Sequence, residues 1–104
     1  MVDSDYIRSK LSGQALVIQL AEEAGEFAAA AAKLARVMDG TNPTHVTYDE
    51  AVNAVAEEYA DVLVAMRATG IPGKHWREIG EFEIEKQKRW VQRLKELDVE
   101  LQED

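Results

Sequence analysis

The chain of 104 residues contains no cysteine, which excludes disulfide bonds and thiolate metal sites. It has no apolar run of membrane-spanning length, and its first ten residues contain no apolar core of the kind found in signal peptides. No stretch alternates strictly between apolar and polar residues, so no β-strand is predicted. These absences lead us to expect a soluble, cytoplasmic, all-α protein that does not bind membranes.

Basic residues are also scarce, with 12 lysines and arginines against 20 acidic residues and a formal net charge of -8. A field of this sign repels long polyanions such as duplex DNA, so nucleic-acid binding is not expected. The chain also lacks a P-loop and a serine nucleophile with catalytic partners. A small phosphorylated ligand that brings its own metal remains compatible with this charge.

Apolar residues recur at helical spacing and predict three main helices after a short N-terminal helix that is interrupted near Ser12. The main helices are expected at about 14–38, 48–68 and 75–97. Thr47 and Glu50 form a capping box before the second main helix, and the turn residues 70–73 separate it from the third. The tail at 100–104 is expected to fray.

The length supports one domain, residues 1–104, with a core built largely from alanine, valine and leucine. We expect these helices to form an antiparallel helical bundle. Because so small a core gains from burying surface against a second copy, we expect the bundle to be completed by oligomerisation. The loop at 39–46, between the first two main helices, is expected to shape the ligand pocket of the bundle.

Two acidic clusters interrupt the alanine-rich helices, with Glu22, Glu23 and Glu26 on the first and Glu58 and Asp61 on the second. Residues on successive turns share a face, and at about 100° per residue Glu23 lies next to the apolar stripe. Glu58 and Asp61 flank the apolar face of their helix. Carboxylates beside alanine and leucine are costly unless a positive group neutralises them. We therefore expect them to converge on one point.

A site made of carboxylates, without histidine or cysteine, suits a hard cation such as Mg²⁺ or Mn²⁺. Such an ion clamps a polyphosphate and activates a water molecule for attack. The alternative is that these acids form a solvated face or pair with basic residues, as acidic residues on helices usually do. Two motifs that border apolar stripes on successive helices favour the metal site.

A row of basic residues lies on the third main helix, where Lys86, Arg89 and Arg93 recur at i, i+3 and i+7 beside Trp90. Such a row can hold phosphate oxygens that a metal ion does not reach. It can equally be an exposed basic face that pairs with neighbouring acids such as Glu85. The sequence leaves both interpretations open.

At these residues the chain resembles the all-α nucleoside triphosphate pyrophosphohydrolase superfamily, and in particular its MazG-like members. The superfamily pattern is E-E-x-x-E, a spacer and E-x-x-D, which here is E-E-A-G-E at 22–26 and E-Y-A-D at 58–61. The segment K-Q-K-R-W-V-Q-R-L at 86–94 is similar to the K-x-x-R-W-x-x-R-L ending of short MazG-like proteins. The likeness covers roughly residues 14–94.

The resemblance implies a role for each acidic and basic residue that matches the motifs. The implied Mg²⁺ ligands are Glu23, Glu26, Glu58 and Asp61. The implied catalytic residues are Glu22 and Glu23, with Glu22 serving a second metal or the attacking water. The implied phosphate contacts are Lys86, Arg89 and Arg93. The metal expected from the resemblance is Mg²⁺, with Mn²⁺ as a possible substitute.

Members of this superfamily cleave a nucleotide between its α and β phosphates, and they assemble as dimers or dimers of dimers. We therefore expect a Mg²⁺-dependent house-cleaning enzyme that converts a standard or modified (deoxy)nucleoside triphosphate into the monophosphate and pyrophosphate. We expect it to be a homodimer or homotetramer. The alternative is a non-catalytic helical module whose acidic residues bind a metal ion or a partner protein.

Overall fold

A computed structural model describes residues 2–41 and 45–103 of the chain. Within these residues the chain forms helices and no strand. The helices are α1 (Asp3–Lys10), α2 (Gly13–Asp39), α3 (Tyr48–Thr69), α4 (Ile71–Lys74) and α5 (Trp76–Glu103). The prediction of an all-α fold is confirmed. Residues 42–44 of the loop that we expected to shape the pocket lie outside the described residues.

The first two long helices begin and end at capping residues. Ser12 precedes α2, and its hydroxyl oxygen accepts a hydrogen bond from the backbone N–H of Ala15 at 3.1 Å. At the other end Gly40 adopts a left-handed conformation with φ of 71°. The hydroxyl of Thr47 accepts the N–H of Glu50 at 3.1 Å, so the N-cap predicted for α3 is confirmed.

The third long helix begins at Trp76, next to its predicted start, but its C-terminal end differs from the prediction. The turn expected at 70–73 overlaps the one-turn helix α4, in which Pro72 is tolerated because its missing N–H would have no intrahelical partner at a helix start. At the other end α5 continues to Glu103 instead of ending near residue 97. No glycine or proline follows Gly80, so nothing in this segment stops the helix.

Helices α2 and α3 pack against each other as an antiparallel pair. Leu16, near the start of α2, lines the same groove as Ala68, near the end of α3. Further along α2, the ring of Phe27 lies 5.8 Å from the ring of Tyr59. Residue numbers therefore rise along one helix as they fall along the other.

The less exposed residues of α2 follow one another at intervals that alternate between four and three residues. They are Leu16, Leu20, Glu23, Phe27, Ala30, Leu34 and Val37. This is the spacing of a coiled-coil seam, in which the hydrophobic repeat is about 3.5 residues. A helical wheel with 3.6 residues per turn places Ala31 and Met38 on the apolar stripe of this helix, but both of these residues are exposed. Glu23 is therefore one of the half-buried residues of this seam.

The core of the described chain is small and consists mainly of alanine. Its buried apolar residues are Leu16, Ala51, Ala65 and Ala68. Their small side chains allow the backbones of α2 and α3 to approach closely. By contrast, Val52 and Tyr59 of α3 are 38% and 52% exposed. Helix α3 therefore packs through its buried alanines together with half-buried residues such as Val55 and Val62.

Arg8 attaches the short helix α1 to the end of α3. Its guanidinium donates hydrogen bonds to the backbone oxygens of Arg67 and Ala68 at 3.5 and 3.4 Å, and it forms an ion pair with Asp5. Carbonyl groups in the last turn of a helix have no intrahelical donor, so a cation is favoured there. Gly70 ends α3 with φ of 78°, and a Cβ at this position would lie 3.1 Å from Arg8.

The chain divides into two compact units, Met1–Ile71 and Pro72–Asp104. The first unit contains both acidic motifs. The second contains α5, whose side chains are exposed along its described length and include apolar residues such as Trp90 at 68% and Leu94 at 52%. In the part of the chain that the structure describes, no helix is both long and apolar enough to cross a membrane.

Candidate functional site

Three of the four predicted metal ligands come together on the α2–α3 pair. One carboxylate oxygen from each of Glu23, Glu26 and Glu58 lies within 4.8 Å of the other two. Glu23 and Glu58 are half-buried, whereas Glu26 is exposed at the edge of the seam. These three residues are called the acidic cluster below.

The acidic cluster contains two carboxylate oxygens that are buried without a hydrogen-bond partner in the described structure. They are Oε2 of Glu23 and Oε2 of Glu58. The other oxygen of Glu23 accepts a hydrogen bond from the side-chain amide of Gln19 at 2.7 Å. Burying a carboxylate oxygen without a donor or a cation is unfavourable, and such atoms are rare in folded proteins. The cluster therefore presents two atoms that suit a positive ligand.

The carboxylates of the cluster repel one another, and the effect is seen in the pKa of Glu58. Burial raises the pKa of Glu58 above its ordinary value because the charged form loses hydration. The neighbouring charges of Glu26, Asp61, Glu23 and Glu57 raise this pKa further, in that order. A cation bound between these carboxylates would offset the repulsion, so the electrostatics favour a positive partner.

Asp61 and Glu22 lie outside the acidic cluster. Asp61 is exposed and lies one turn after Glu58 on α3. Together with Glu23 it lines the same groove as Leu16 and Ala68. Glu22 is exposed on α2. The structure therefore brings together Glu23, Glu26 and Glu58, while the predicted ligand Asp61 and the predicted catalytic residue Glu22 are close in sequence but are not part of this set.

The residues present fit a hard divalent cation. Mg²⁺ binds oxygen ligands at about 2.0–2.1 Å, so all of its ligand oxygens lie within about 4.2 Å of one another. The three oxygens of the acidic cluster lie within 4.8 Å of one another, so side-chain movements could bring them around one ion. The ligands are carboxylates, which select Mg²⁺, Ca²⁺ or Mn²⁺ over softer metals. With three protein ligands, several positions around the ion would be left for water and phosphate oxygens.

The basic row on α5 forms a shallow depression on the surface of one helix. Its lining residues are Lys86, Arg89, Trp90 and Arg93, and its volume is about 260 Å³. The guanidinium of Arg89 lies 3.4 Å from a carboxylate oxygen of Glu85, and both side chains are exposed. This pair matches the alternative interpretation of the row, but an exposed pair of this kind contributes little to stability. Arg89 therefore remains able to exchange Glu85 for a phosphate.

An apolar groove of about 200 Å³ extends from the acidic cluster along the first unit. Its apolar walls are formed by Ile7, Leu11, Leu16, Val64, Ala65 and Ala68. This groove was not predicted from the sequence. The available signal was the pair Ile7 and Leu11, which recurs at i, i+4 and gives the short helix α1 an apolar side.

No protein-family model matches the chain, and searches of curated proteins and of solved structures found no match either. The functional assignment therefore depends on the side chains of the chain itself.

Proposed function

We propose that the protein is a Mg²⁺-dependent nucleotide pyrophosphohydrolase that converts a (deoxy)nucleoside triphosphate into the monophosphate and pyrophosphate. In this proposal it acts as a house-cleaning enzyme on standard or modified nucleotides. The proposal combines the resemblance of the acidic and basic motifs to MazG-like proteins with the geometry of the acidic cluster.

The observation that carries the proposal is the convergence of Glu23, Glu26 and Glu58, together with the buried oxygens of Glu23 and Glu58 that have no hydrogen-bond partner among the described residues. An acidic motif on an exposed helix face would leave its carboxylates in water. Here Glu23 and Glu58 instead occupy seam positions, where an unneutralised carboxylate is unfavourable. A bound cation would account for the presence of acids at these positions.

In the proposed site, Glu23, Glu26 and Glu58 bind the ion, and Asp61 completes its ligand set after a side-chain movement. A Mg²⁺ ion held there would neutralise phosphate charge and lower the pKa of a water bound to it. By the motif resemblance, Glu22 would accept the proton of the attacking water as a general base. Water would then add across the bond between the α and β phosphates, which gives the monophosphate and pyrophosphate.

The basic row of α5 is assigned to the substrate phosphates on the strength of the motif resemblance. Lys86, Arg89 and Arg93 supply donors to phosphate oxygens, and an arginine can contact two oxygens at once. Oligomerisation is supported by the exposed apolar side chains of α5, including Trp90 and Leu94. We propose a homodimer or homotetramer in which a second copy covers such side chains.

The test is to incubate the protein with a panel of nucleoside triphosphates and Mg²⁺ and to measure pyrophosphate and orthophosphate separately. We expect pyrophosphate from at least one nucleotide, and loss of this activity in Glu23→Gln and Asp61→Asn with unchanged helix content. Glu57→Gln, a change at an exposed neighbour, is the control and should remain active. Full activity in Glu23→Gln, or orthophosphate as the sole product, would refute the assignment.

The second candidate is a non-catalytic helical module whose acidic cluster pairs with basic residues of a partner. The buried oxygens of Glu23 and Glu58 favour it as well, because a guanidinium satisfies such oxygens as a metal ion does. The two candidates differ in their response to Mg²⁺. A metal site must raise the melting temperature when Mg²⁺ is added, whereas a partner-binding seam gives no such shift.

A further inference from the structure

The apolar groove beside the acidic cluster has no role in the chemistry proposed above. Two residues of the acidic motifs, Glu23 and Asp61, line one end of it, so the groove begins where the phosphates would be held. We propose that this groove binds the base of the nucleotide substrate. The proposal rests on the proposed function, because it assumes that the phosphates of the same molecule lie at the acidic cluster.

The length and volume of the groove suit a nucleoside. Leu16, in the groove, precedes Glu23 by seven residues, which corresponds to on the order of 10 Å along a helix. A nucleoside attached to a phosphate at the acidic cluster extends over a comparable length. The groove volume of about 200 Å³ exceeds that of an engineered cavity of about 150 Å³ that holds benzene. The groove can therefore accept an aromatic ring.

The charge distribution of the groove determines which part of a nucleotide enters it. Its walls are apolar over most of their length, and the charged residues that line it, Glu23 and Asp61, are negative. A phosphate or carboxylate would lose hydration there and be repelled, whereas an uncharged planar ring would bury apolar surface. The base is the part of a nucleoside triphosphate with these properties.

Gln19 supplies a polar group in this otherwise apolar lining. Its side-chain nitrogen donates to Glu23 at 2.7 Å, and this orientation is required because an ionised carboxylate only accepts hydrogen bonds. The carbonyl oxygen of the same amide is then an acceptor for an N–H group of a base. A few polar groups in an apolar pocket are what fixes the orientation of a small ligand. Gln19 therefore connects the base to a residue of the acidic cluster.

The test fills the groove and compares ligands that have and lack a base. Val64→Phe places a larger side chain at a groove residue, and Val17→Phe makes the same change outside the groove at a residue of similar exposure, 52% against 57%. For the wild type and both variants, the affinity for a nucleoside triphosphate that the wild type hydrolyses and the affinity for inorganic tripolyphosphate are measured with Mg²⁺. We expect Val64→Phe to weaken nucleotide binding by at least about tenfold, as misfits in apolar pockets do, and to leave tripolyphosphate binding unchanged. Val17→Phe should change neither affinity.

The outcomes separate this proposal from the proposed function. If the wild-type protein hydrolyses the nucleotide but Val64→Phe binds it normally, the groove assignment is wrong and the proposed function stands. Equal losses for nucleotide and tripolyphosphate would also overturn the groove assignment, because they would place phosphate rather than base near Val64. A change in the sedimentation of Val64→Phe without a change in nucleotide affinity would assign the groove to a second copy. If the wild-type protein neither binds nor hydrolyses any nucleotide, both proposals fall.

Discussion

At the scale of single residues, Glu58 has the most distinctive environment. It lies between α2 and α3, and burial together with four neighbouring acids raises the pKa of its carboxyl above the ordinary value. The folded protein therefore binds this proton more tightly than the unfolded chain does. By linkage, the stabilising contribution is fully present below the ordinary glutamate pKa and is lost as the pH rises through the raised pKa of the folded state.

Glu58→Gln should therefore stabilise the metal-free protein near neutral pH, because it removes the charge and keeps the shape of the side chain. The gain over the wild type should shrink as the pH falls through the raised pKa of Glu58 and should vanish below the ordinary pKa of a glutamate. Urea unfolding in the presence of a chelator, at several pH values, measures this difference. Glu57→Gln, at an exposed neighbouring position, should have a much smaller effect. A Glu58→Gln variant that is less stable than the wild type near neutral pH would contradict the account of this residue.

The acidic residues could be placed on their helices from the sequence, because a carboxylate beside an apolar stripe is visible in helical periodicity. This reasoning brought Glu23, Glu26 and Glu58 to one region, as the structure does. It did not separate Asp61 from them. Periodicity gives the angle of a residue around its own helix, but the distance between carboxylates also depends on how far the two helices approach and on side-chain rotamers.

At the scale of helices, the attachment of α1 depends on the contact between Arg8 and the end of α3. Gly70 lies against this contact: it has a positive φ, and a Cβ added there would lie 3.1 Å from the Arg8 side chain, which would have to shift slightly. Gly40 has a similar φ of 71°, but nothing lies within 4 Å of the Cβ that an alanine would add there. The two glycines therefore form a matched pair for measuring the Arg8 contact.

We expect Gly40→Ala to lower the free energy of unfolding by about 1–2 kcal/mol, the usual cost of a left-handed conformation for a residue with a Cβ. Gly70→Ala should cost more, because its Cβ would also displace the guanidinium of Arg8. Chemical unfolding of both variants measures the difference. In an Arg8→Ala background this difference should disappear, as a double-mutant cycle would show. Equal costs in the wild-type background would mean that a Cβ at residue 70 does not disturb the contact made by Arg8.

The helices themselves were largely predictable, because their ends are fixed by local signals such as the caps at Ser12 and Thr47. The side of α2 that packs was predicted less well. A wheel with 3.6 residues per turn places Ala31 and Met38 in the stripe, whereas the seam follows a repeat of about 3.5 residues and selects Ala30 and Val37. The drift between the two repeats grows with length, so the error appears only in the second half of this long helix.

At the scale of the whole molecule, the small core makes self-association the expected source of additional stability. The buried apolar residues of the described chain are one leucine and three alanines, whereas Trp90, Leu94 and Leu97 are each at least half exposed. A small core of this kind rarely supplies much stability alone. The sequence predicted this small core from its alanine content, but it did not indicate which apolar faces remain exposed.

If a second copy covers these side chains, the melting temperature should rise with protein concentration, because dissociation accompanies unfolding. Sedimentation at the same concentrations should give the mass of a dimer or tetramer. Leu94→Lys should lower the mass, whereas Lys95→Gln, at an adjacent position, should not. A melting temperature independent of concentration, together with a monomer mass, would contradict the proposed oligomer.

The measurement that tests the central claim most directly is a calorimetric titration of the protein with Mn²⁺. This ion suits carboxylate ligands, as Mg²⁺ does. We predict saturable binding by the wild type and by Glu57→Gln. We predict at least about tenfold weaker binding by Glu23→Gln and Glu58→Gln, since even outer-shell changes at metal sites typically cost that much. Absence of saturable binding to the wild type, or unchanged affinity in Glu58→Gln, would contradict the claim that the acidic cluster holds a divalent cation.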